Sequence, residues 1–228
     1  MGLRIFIPQP IHPCGLSYLR EKGCTLVEGG GSDPDNLSRI LEECDGVISK
    51  TFFLPTSCLM STSRLKVIAK HGVGADNIVD QEAAARLGIR VVNTPTANTN
   101  SVAEFSLGLV IACAKRFKLL MKLASDDSLS DTMNFAGCDL AGKTLGILGV
   151  GHIGGLLAKK AHFGLDMQIL GFCRSPKELP PYIAPASSLE QLFSESDFLS
   201  LHIPFTKETY GLVGEQLLFR MKPTSYLI

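Results

Sequence analysis

The stretch TLGILGVGHIGGLLAKKAHFGLDMQILGFCRS, residues 144–175, decides the fold of this chain. An apolar run at 144–148 leads into a glycine-rich turn, GVGHIG, at 149–154. A helix-like stretch follows up to Gly164, and a second apolar run occupies residues 167–172. The order strand, glycine turn, helix, strand predicts a βαβ unit with parallel strands, the building block of doubly wound α/β folds.

The glycines of this turn have the spacing G-x-G-x-x-G, and each is needed for a different reason. Gly149 allows a tight turn, Gly151 lets a pyrophosphate approach the backbone, and Gly154 lets the helix pack closely on the strand. The helix that begins there offers free N–H groups and the positive end of its dipole to phosphates. The turn therefore predicts dinucleotide binding; the alternative is a glycine-rich turn in another kind of α/β protein.

The end of the second strand favours one dinucleotide over the other. An acidic residue about 20 positions after the glycines normally binds the ribose hydroxyls of NAD, but the strand here ends in Cys173-Arg174-Ser175. Asp166 precedes the strand and is interpreted as a turn residue. Because Arg174 and Ser175 could bind a 2′-phosphate, the sequence favours NADP over NAD. The alternative is that Arg174 is simply a solvated side chain.

The composition narrows the class of protein. The chain has 228 residues, 45% of them hydrophobic, and a formal net charge of zero, so nothing indicates nucleic acid or an anionic membrane as a partner. It has no apolar run of transmembrane length and no signal-peptide pattern at its start. The seven cysteines include no C-x-x-C pair, which argues against zinc, any other metal site and a disulfide framework. We therefore expect a cytoplasmic protein.

Short apolar runs in the first hundred residues alternate with helical patterns. We predict strands at residues 3–7, 25–27, 46–49, 65–69 and 89–92, forming a parallel sheet with helices on both faces. The segment KHGVGADN, residues 70–77, directly follows the fourth of these strands. Its glycines would let backbone N–H groups form an anion-binding nest, suited to a carboxylate. The alternative is an ordinary turn between a strand and a helix.

The second half of the chain begins at a polar, proline-containing segment at residues 94–101. Ser101 and Glu104 fit a capping box, and we predict one long helix over residues 102–123 that packs between domains or subunits. After the glycine turn we predict a strand at residues 198–203 as the third of this half. His202 at the end of that strand either faces a cofactor or is a structural, hydrogen-bonded histidine.

Five segments, in the order in which they occur, resemble the D-isomer-specific 2-hydroxyacid dehydrogenases, the group of phosphoglycerate dehydrogenase and hydroxypyruvate/glyoxylate reductase. They are KHGVGADNIVD (70–80), NTPTANTNSVAEF (93–105), GKTLGILGVGHIG (142–154), LHIPFTKET (201–209) and MKPTSYLI (221–228). The resemblance implies a flavodoxin-like substrate-binding domain at residues 1–98 and a Rossmann NAD(P)-binding domain at residues 99–228, incomplete at its C-terminus. Substrate and nicotinamide would meet in the cleft. The resemblance further implies a homodimer built by the helix at residues 101–123.

The resemblance also assigns the binding residues. The substrate carboxylate would bind backbone N–H groups around His71, Gly72, Val73 and Gly74, with help from Lys50. Beside the turn glycines, the positions that match cofactor contacts are Val73, His152, Ile153, Cys173, Arg174, His202, Ile203, Pro204 and Thr209. The substrate would be 3-phosphoglycerate/3-phosphohydroxypyruvate or hydroxypyruvate/glyoxylate. The basic end of the second strand favours the NADPH-dependent reductases among these.

The chemistry of the family depends on three residues that this chain does not include. An Arg polarises the substrate carbonyl and a His–Glu pair moves the proton, and the resemblance places all three after Ile228. His71 and His202 match other positions and do not replace them. We therefore predict negligible turnover for the 228-residue chain, and a sheet of order 3-2-1-4 whose last strand, with Leu227 and Ile228, is an exposed edge. The alternatives are a non-catalytic dinucleotide-binding or regulatory module and a partial gene product.

Overall fold

A computed structural model describes residues 2–30, 33–125, 136–174, 178–206 and 208–228. The chain forms two compact units, Met1–Asn98 and Thr99–Ile228. Each is a parallel α/β sheet with its own hydrophobic core, as the alternation of apolar runs and helical patterns predicts. No helix in the described ranges has the length and apolar character needed to span a bilayer.

The first unit has a five-stranded sheet of order β2-β1-β3-β4-β5 in which every pair is parallel. This is the strand order of flavodoxin-like folds. The elements are β1 Arg4–Ile7, α1 Pro13–Glu21, β2 Thr25–Glu28, α2 Pro34–Glu43, β3 Gly46–Ser49, α3 Thr56–Met60, β4 Val67–Lys70, α4 Gln81–Arg86 and β5 Arg90–Val92.

Side-chain caps fix where two helices of this unit begin. The Asp33 carboxylate accepts the Asn36 amide at 2.9 Å, and the Asp80 carboxylate accepts the Ala83 amide at 3.0 Å. Each carboxylate satisfies a backbone donor that the first turn leaves free. The sheet buries Phe6 and Ile68 completely in the core beneath these helices. The strands are thereby held in register, and their carboxyl ends lie along one edge.

The second unit has a five-stranded parallel sheet of order β10-β9-β6-β7-β8. Its elements are α5 Thr99–Ala114, α6 Phe117–Ser125, β6 Thr144–Leu148, α7 His152–Leu165, β7 Gln168–Phe172, β8 Ile183–Pro185, α8 Leu189–Glu195, β9 Phe198–Leu201, α9 Glu215–Leu218 and β10 Tyr226–Leu227. Asp166 ends α7 in the left-handed conformation, with φ 52°, which confirms it as a turn residue.

The predicted strand count of this unit was wrong by one. The sequence pattern did not indicate β8, so Phe198–Leu201 is the fourth strand of the unit and Tyr226–Leu227 the fifth. The predicted order 3-2-1-4 is therefore 3-2-1-4-5. Only Ile183 of the three residues in β8 is buried, and a proline ends it, as edge strands allow. Such a short run carries no periodicity that distinguishes it from a loop.

The single long helix predicted over residues 102–123 was also wrong. The structure has two helices, and Arg116 between them has φ 50°. Tertiary contacts explain the break, because the Ala114 carbonyl accepts the Cys138 amide at 2.9 Å and Lys115 pairs with Asp139 at 2.8 Å. The predicted capping box was likewise incorrect: α5 begins at Thr99, before Ser101.

Candidate active site

The turn after β6 has a backbone conformation that requires glycine at its first position. Gly149 has φ 96°, and a Cβ atom there would lie 2.6 Å from the His202 carbonyl oxygen and 3.0 Å from a methyl group of Ile203. The Gly149 amide donates to the Phe172 carbonyl at 2.9 Å. The turn is therefore fitted tightly between the ends of β7 and β9, with no room for a side chain at this position.

The other two glycines of the turn differ from each other in their surroundings. A Cβ atom at Gly154 would overlap the Gly149 carbonyl oxygen, so α7 can pack against the turn only with glycine there. Gly151, the N-cap of α7, has an ordinary φ of −91°, and no described atom lies within 4 Å of its Cβ position. Among the described residues no side chain caps the helix, whose first turn includes His152 and Ile153. Gly151 thus borders open space at a helix N-terminus.

This turn lies where the order of the sheet reverses. The connection from β6 leads to β7 on one side, whereas β9 lies on the other side of β6 and leads on to β10. In open α/β sheets ligands bind in the crevice that such a reversal creates at the carboxyl ends of the strands. Gly149 and His202 are the residues that meet there.

His202 is held by both its backbone and its ring. Its amide donates to the Leu148 carbonyl at 2.8 Å, and its Nε2 lies 2.9 Å from the hydroxyl of the buried Ser200. Burial lowers the pKa of the His202 imidazole below its usual value, which favours the neutral form of the ring. The sequence did not identify Ser200 as a partner of His202. A residue at this position of the strand is expected to be buried in the core, whether or not its hydroxyl contacts a histidine.

The segment after His202 is shaped by a threonine hydroxyl. Thr209 Oγ1 accepts the Thr206 amide at 2.8 Å and donates to the Pro204 carbonyl at 2.6 Å. Pro204 is exposed, whereas Ile203 packs partly buried against the core. Thr209 therefore fixes the conformation of the loop that carries these two residues.

One basic side chain, that of Arg174, follows β7 in the described part of the chain. Cys173 is half-buried and Arg174 is exposed, with no acidic partner within ion-pair distance among the described residues. Ser175, the other residue predicted to bind a 2′-phosphate, lies outside the described residues.

In the first unit, the glycine loop after β4 has a backbone conformation that favours glycine, with φ 134° at Gly72 and 64° at Gly74. The amides of His71 and Gly72 are already engaged: the first donates to the Ser49 carbonyl at 2.8 Å and the second to Thr94 Oγ1 at 3.0 Å. In the described part of the chain, the amides of Val73 and Gly74 have no acceptor. The predicted nest therefore narrows to these two donors.

Two lysines flank this loop. Lys50 follows β3 and is exposed, with its Nζ 3.4 Å from the Pro10 carbonyl oxygen. Lys70, the last residue of β4, is buried and donates from its Nζ to the Lys50 carbonyl. The sequence analysis missed Lys70, since a lysine at a strand end is ordinarily a surface residue.

Comparison with known proteins identifies the family. The model for the NAD-binding domain of D-isomer-specific 2-hydroxyacid dehydrogenases matches residues 107–228. The chain belongs to this family. It is 35% identical to a glyoxylate reductase of Korarchaeum cryptofilum over 240 residues, an alignment that covers the whole chain and 70% of the reductase. It is 32% identical to a hydroxypyruvate reductase of Thermotoga maritima, over 96% of the chain and 71% of the relative.

A solved structure of a D-lactate dehydrogenase is also similar to this chain. The D-lactate dehydrogenase of Aquifex aeolicus, complexed with NAD and lactic acid, has a TM-score of 0.85 and 26% identity, covering 98% of this chain and 67% of that one. The resemblance stated from the sequence is thus confirmed, and with it the α/β class. By its family, the chain belongs to the nicotinamide-dependent oxidoreductases that act on CH–OH groups.

Proposed function

We propose that the second unit binds a nicotinamide dinucleotide at the glycine turn and that the first unit binds the carboxylate of a small 2-oxo or 2-hydroxy acid. The observation that carries the proposal is the open space at Gly151, directly at the uncapped N-terminus of α7. A pyrophosphate there would accept hydrogen bonds from the first amides of α7, at His152 and Ile153. When bound, the dinucleotide supplies the hydride that reduces the keto carbon of the acid.

Further dinucleotide contacts follow from the same crevice. His202 and Ile203 border the turn at Gly149, and Thr209 holds Pro204 in its position beyond them. We propose that these residues, with Cys173, line the cofactor site of the second unit. Arg174 favours NADP, because its guanidinium is exposed at the strand end where NAD-specific sites normally have a carboxylate.

The substrate side of the proposal depends on the glycine loop. The free amides of Val73 and Gly74 suit a carboxylate, and the exposed ammonium of Lys50 suits a further negative group. Relatives named glyoxylate reductase and hydroxypyruvate reductase support these two acids as substrates. A relative named D-3-phosphoglycerate dehydrogenase, at 34% identity, keeps the phosphorylated acid as the second candidate.

For the 228-residue polypeptide by itself we propose dinucleotide binding with negligible turnover. The family resemblance places the Arg, Glu and His that polarise the carbonyl and move the proton after Ile228. A missing general acid alone costs about 10²–10⁴-fold in rate. The second candidate function is that of a non-catalytic dinucleotide-binding module. A cytoplasmic location stays a prediction.

The test is a fluorescence titration of the purified chain with NADPH and with NADH, combined with a turnover assay on hydroxypyruvate. We expect saturable binding, tighter for NADPH, and no oxidation of the cofactor above background. Turnover would contradict the need for the missing residues. Absence of binding would contradict the proposed cofactor site itself.

We also propose a homodimer through α5 and α6. These helices expose large apolar side chains that a monomer would leave in water: Phe105, Leu109, Phe117, Leu119 and Met121. Phe105 and Met121 are 68% and 73% exposed. We expect Phe105→Glu to convert a dimer into a monomer in sedimentation velocity. Phe219→Glu should leave the dimer intact, because Phe219 lies outside these helices although it is even more exposed, at 80%. A monomeric unsubstituted chain would refute this part of the proposal.

A further inference from the structure

Lys70 occupies an unusual position for a charged side chain. It is the last residue of β4, its exposed fraction is 6%, and its Nζ donates to the Lys50 carbonyl. Its aliphatic part runs beneath the glycine loop, since a Cβ atom on Gly72 would lie 3.6 Å from Lys70 Cε. The ammonium is thus enclosed by the ends of β3 and β4 and by the loop between β4 and α4.

In the part of the chain that the structure describes, this buried charge has no acidic partner. Within the described ranges no carboxylate lies within ion-pair distance of Lys70, although seven other ion pairs occur. Burial is the cause that lowers the pKa of Lys70. A buried ammonium that has only a carbonyl for a partner costs stability, and this cost would be offset if an anion bound nearby.

Two backbone amides without acceptors among the described residues belong to the loop that follows Lys70. They are the amides of Val73 and Gly74, three and four residues after Lys70. An anion bound to these amides would favour the charged form of Lys70, and the charged form would in turn favour the anion. The titratable neighbours along the chain are His71, which follows Lys70, and Lys50, whose carbonyl it contacts.

We propose that Lys70 is a specificity-determining residue: its buried positive charge makes the Val73–Gly74 loop prefer a ligand ending in a carboxylate over a neutral ligand of the same shape. The inference rests on the proposed substrate site and identifies what selects the acid. Lys70 acts through the loop and its charge, as a positioning residue that need not touch the substrate.

The test compares hydroxypyruvate with 1,3-dihydroxyacetone, in which CH₂OH replaces the carboxylate. Both are titrated into the full chain, and the amide shifts of Val73 and Gly74 are followed by NMR. We expect Lys70→Met to reduce the preference for hydroxypyruvate by at least about tenfold, which is what loss of one unit charge at about 12 Å implies at an effective dielectric constant of about 20. Lys70→Arg should largely restore the preference, and Lys70→Gln, which keeps a donor without the charge, should not.

Lys66→Met is the matched control, because Lys66 is exposed near the opposite end of the same strand and its Nζ donates to the Ser63 carbonyl, away from the glycine loop. An unchanged preference in a folded Lys70→Met variant that still binds hydroxypyruvate would overturn the inference and leave the proposed site standing. If the unsubstituted chain binds NADPH but hydroxypyruvate does not shift Val73 or Gly74, the substrate site and this inference both fall. If Lys70 has a purely structural role, Lys70→Met should weaken the binding of hydroxypyruvate and of 1,3-dihydroxyacetone equally, and this result too would overturn the inference.

Discussion

Gly151→Ala separates the stability of the glycine turn from its proposed binding function. The backbone at Gly151, with φ −91° and ψ −153°, is accessible to alanine, and no described atom lies within 4 Å of the added methyl group. Alanine is a poorer N-cap than glycine, but it also lowers the entropy of the unfolded chain, and each effect amounts to less than about 1 kcal/mol. The free energy of unfolding should therefore change by no more than about 0.5 kcal/mol.

The effect on the dinucleotide should be much larger. The methyl group would enter the space through which a pyrophosphate approaches the first amides of α7. Displacing the phosphate weakens a hydrogen bond to a charged group, which contributes about 1.5–3 kcal/mol. Since 1.4 kcal/mol corresponds to a factor of ten, the dissociation constant should rise by about 10- to 150-fold.

Fluorescence titration with NADPH measures the affinity, and urea unfolding measures the stability of the same sample. Gly164→Ala is the matched control: it lies in the same helix with open space around its Cβ position, so it should stabilise the chain by about 0.5–1 kcal/mol and leave the affinity unchanged. Normal affinity in Gly151→Ala would refute the assignment of Gly151 to the pyrophosphate site.

Three further outcomes are expected. Asp197→Asn should lower the free energy of unfolding by about 1–2 kcal/mol near pH 7. Although burial alone would raise the pKa of Asp197, hydrogen bonds from the Thr144 amide and Lys222 hold this pKa below its usual value. The stability that the Asp197 carboxylate contributes is fully present above the ordinary aspartate pKa of about 3.9, and it is lost as the pH falls through the lower pKa of the folded state. In urea unfolding from pH 7 downward, the unfolding free energies of the unsubstituted chain and of Asp197→Asn should therefore converge. Arg174→Ala should weaken the binding of NADPH about tenfold and leave the affinity for NADH unchanged in parallel titrations. An unchanged affinity for NADPH would mean that the arginine is only a solvated side chain. Gly154→Ala should destabilise the chain by about 2–4 kcal/mol in thermal unfolding, because its methyl group would overlap a backbone carbonyl.

The sequence predicts the elements whose signals are local. The glycine turn at 149–154 is one, because the conformation of Gly149 and the close packing at Gly154 leave glycine as the residue that fits. Elements that depend on partners distant in the sequence were missed: β8 pairs with β7, and the helix break at Arg116 accompanies contacts with residues 138–139.

The candidate site also has parts that the local sequence predicts and parts that depend on the fold. The pattern KHGVGADN indicates an anion-binding loop, but only the fold shows that Ser49 and Thr94 already engage two of its amides. The burial of Lys70 depends on β3 packing beside β4, which the residues around Lys70 do not encode. Glycine spacing therefore locates the loops, whereas the fold determines which donors remain free.

Both units have an aspartate that joins two neighbouring strands away from these loops. Asp45, just before β3, accepts the amide that starts β1 at 2.7 Å and pairs with Arg64; Asp197, just before β9, accepts the amide that starts β6 at 2.9 Å and pairs with Lys222. Each aspartate thus fastens two neighbouring strands at their amino ends. Charge-assisted hydrogen bonds of this kind are among the stronger ones in proteins. Because they lie at the opposite ends of the strands from Lys50 and His202, the loops at the carboxyl edge can leave donors unpaired while the sheet stays fixed.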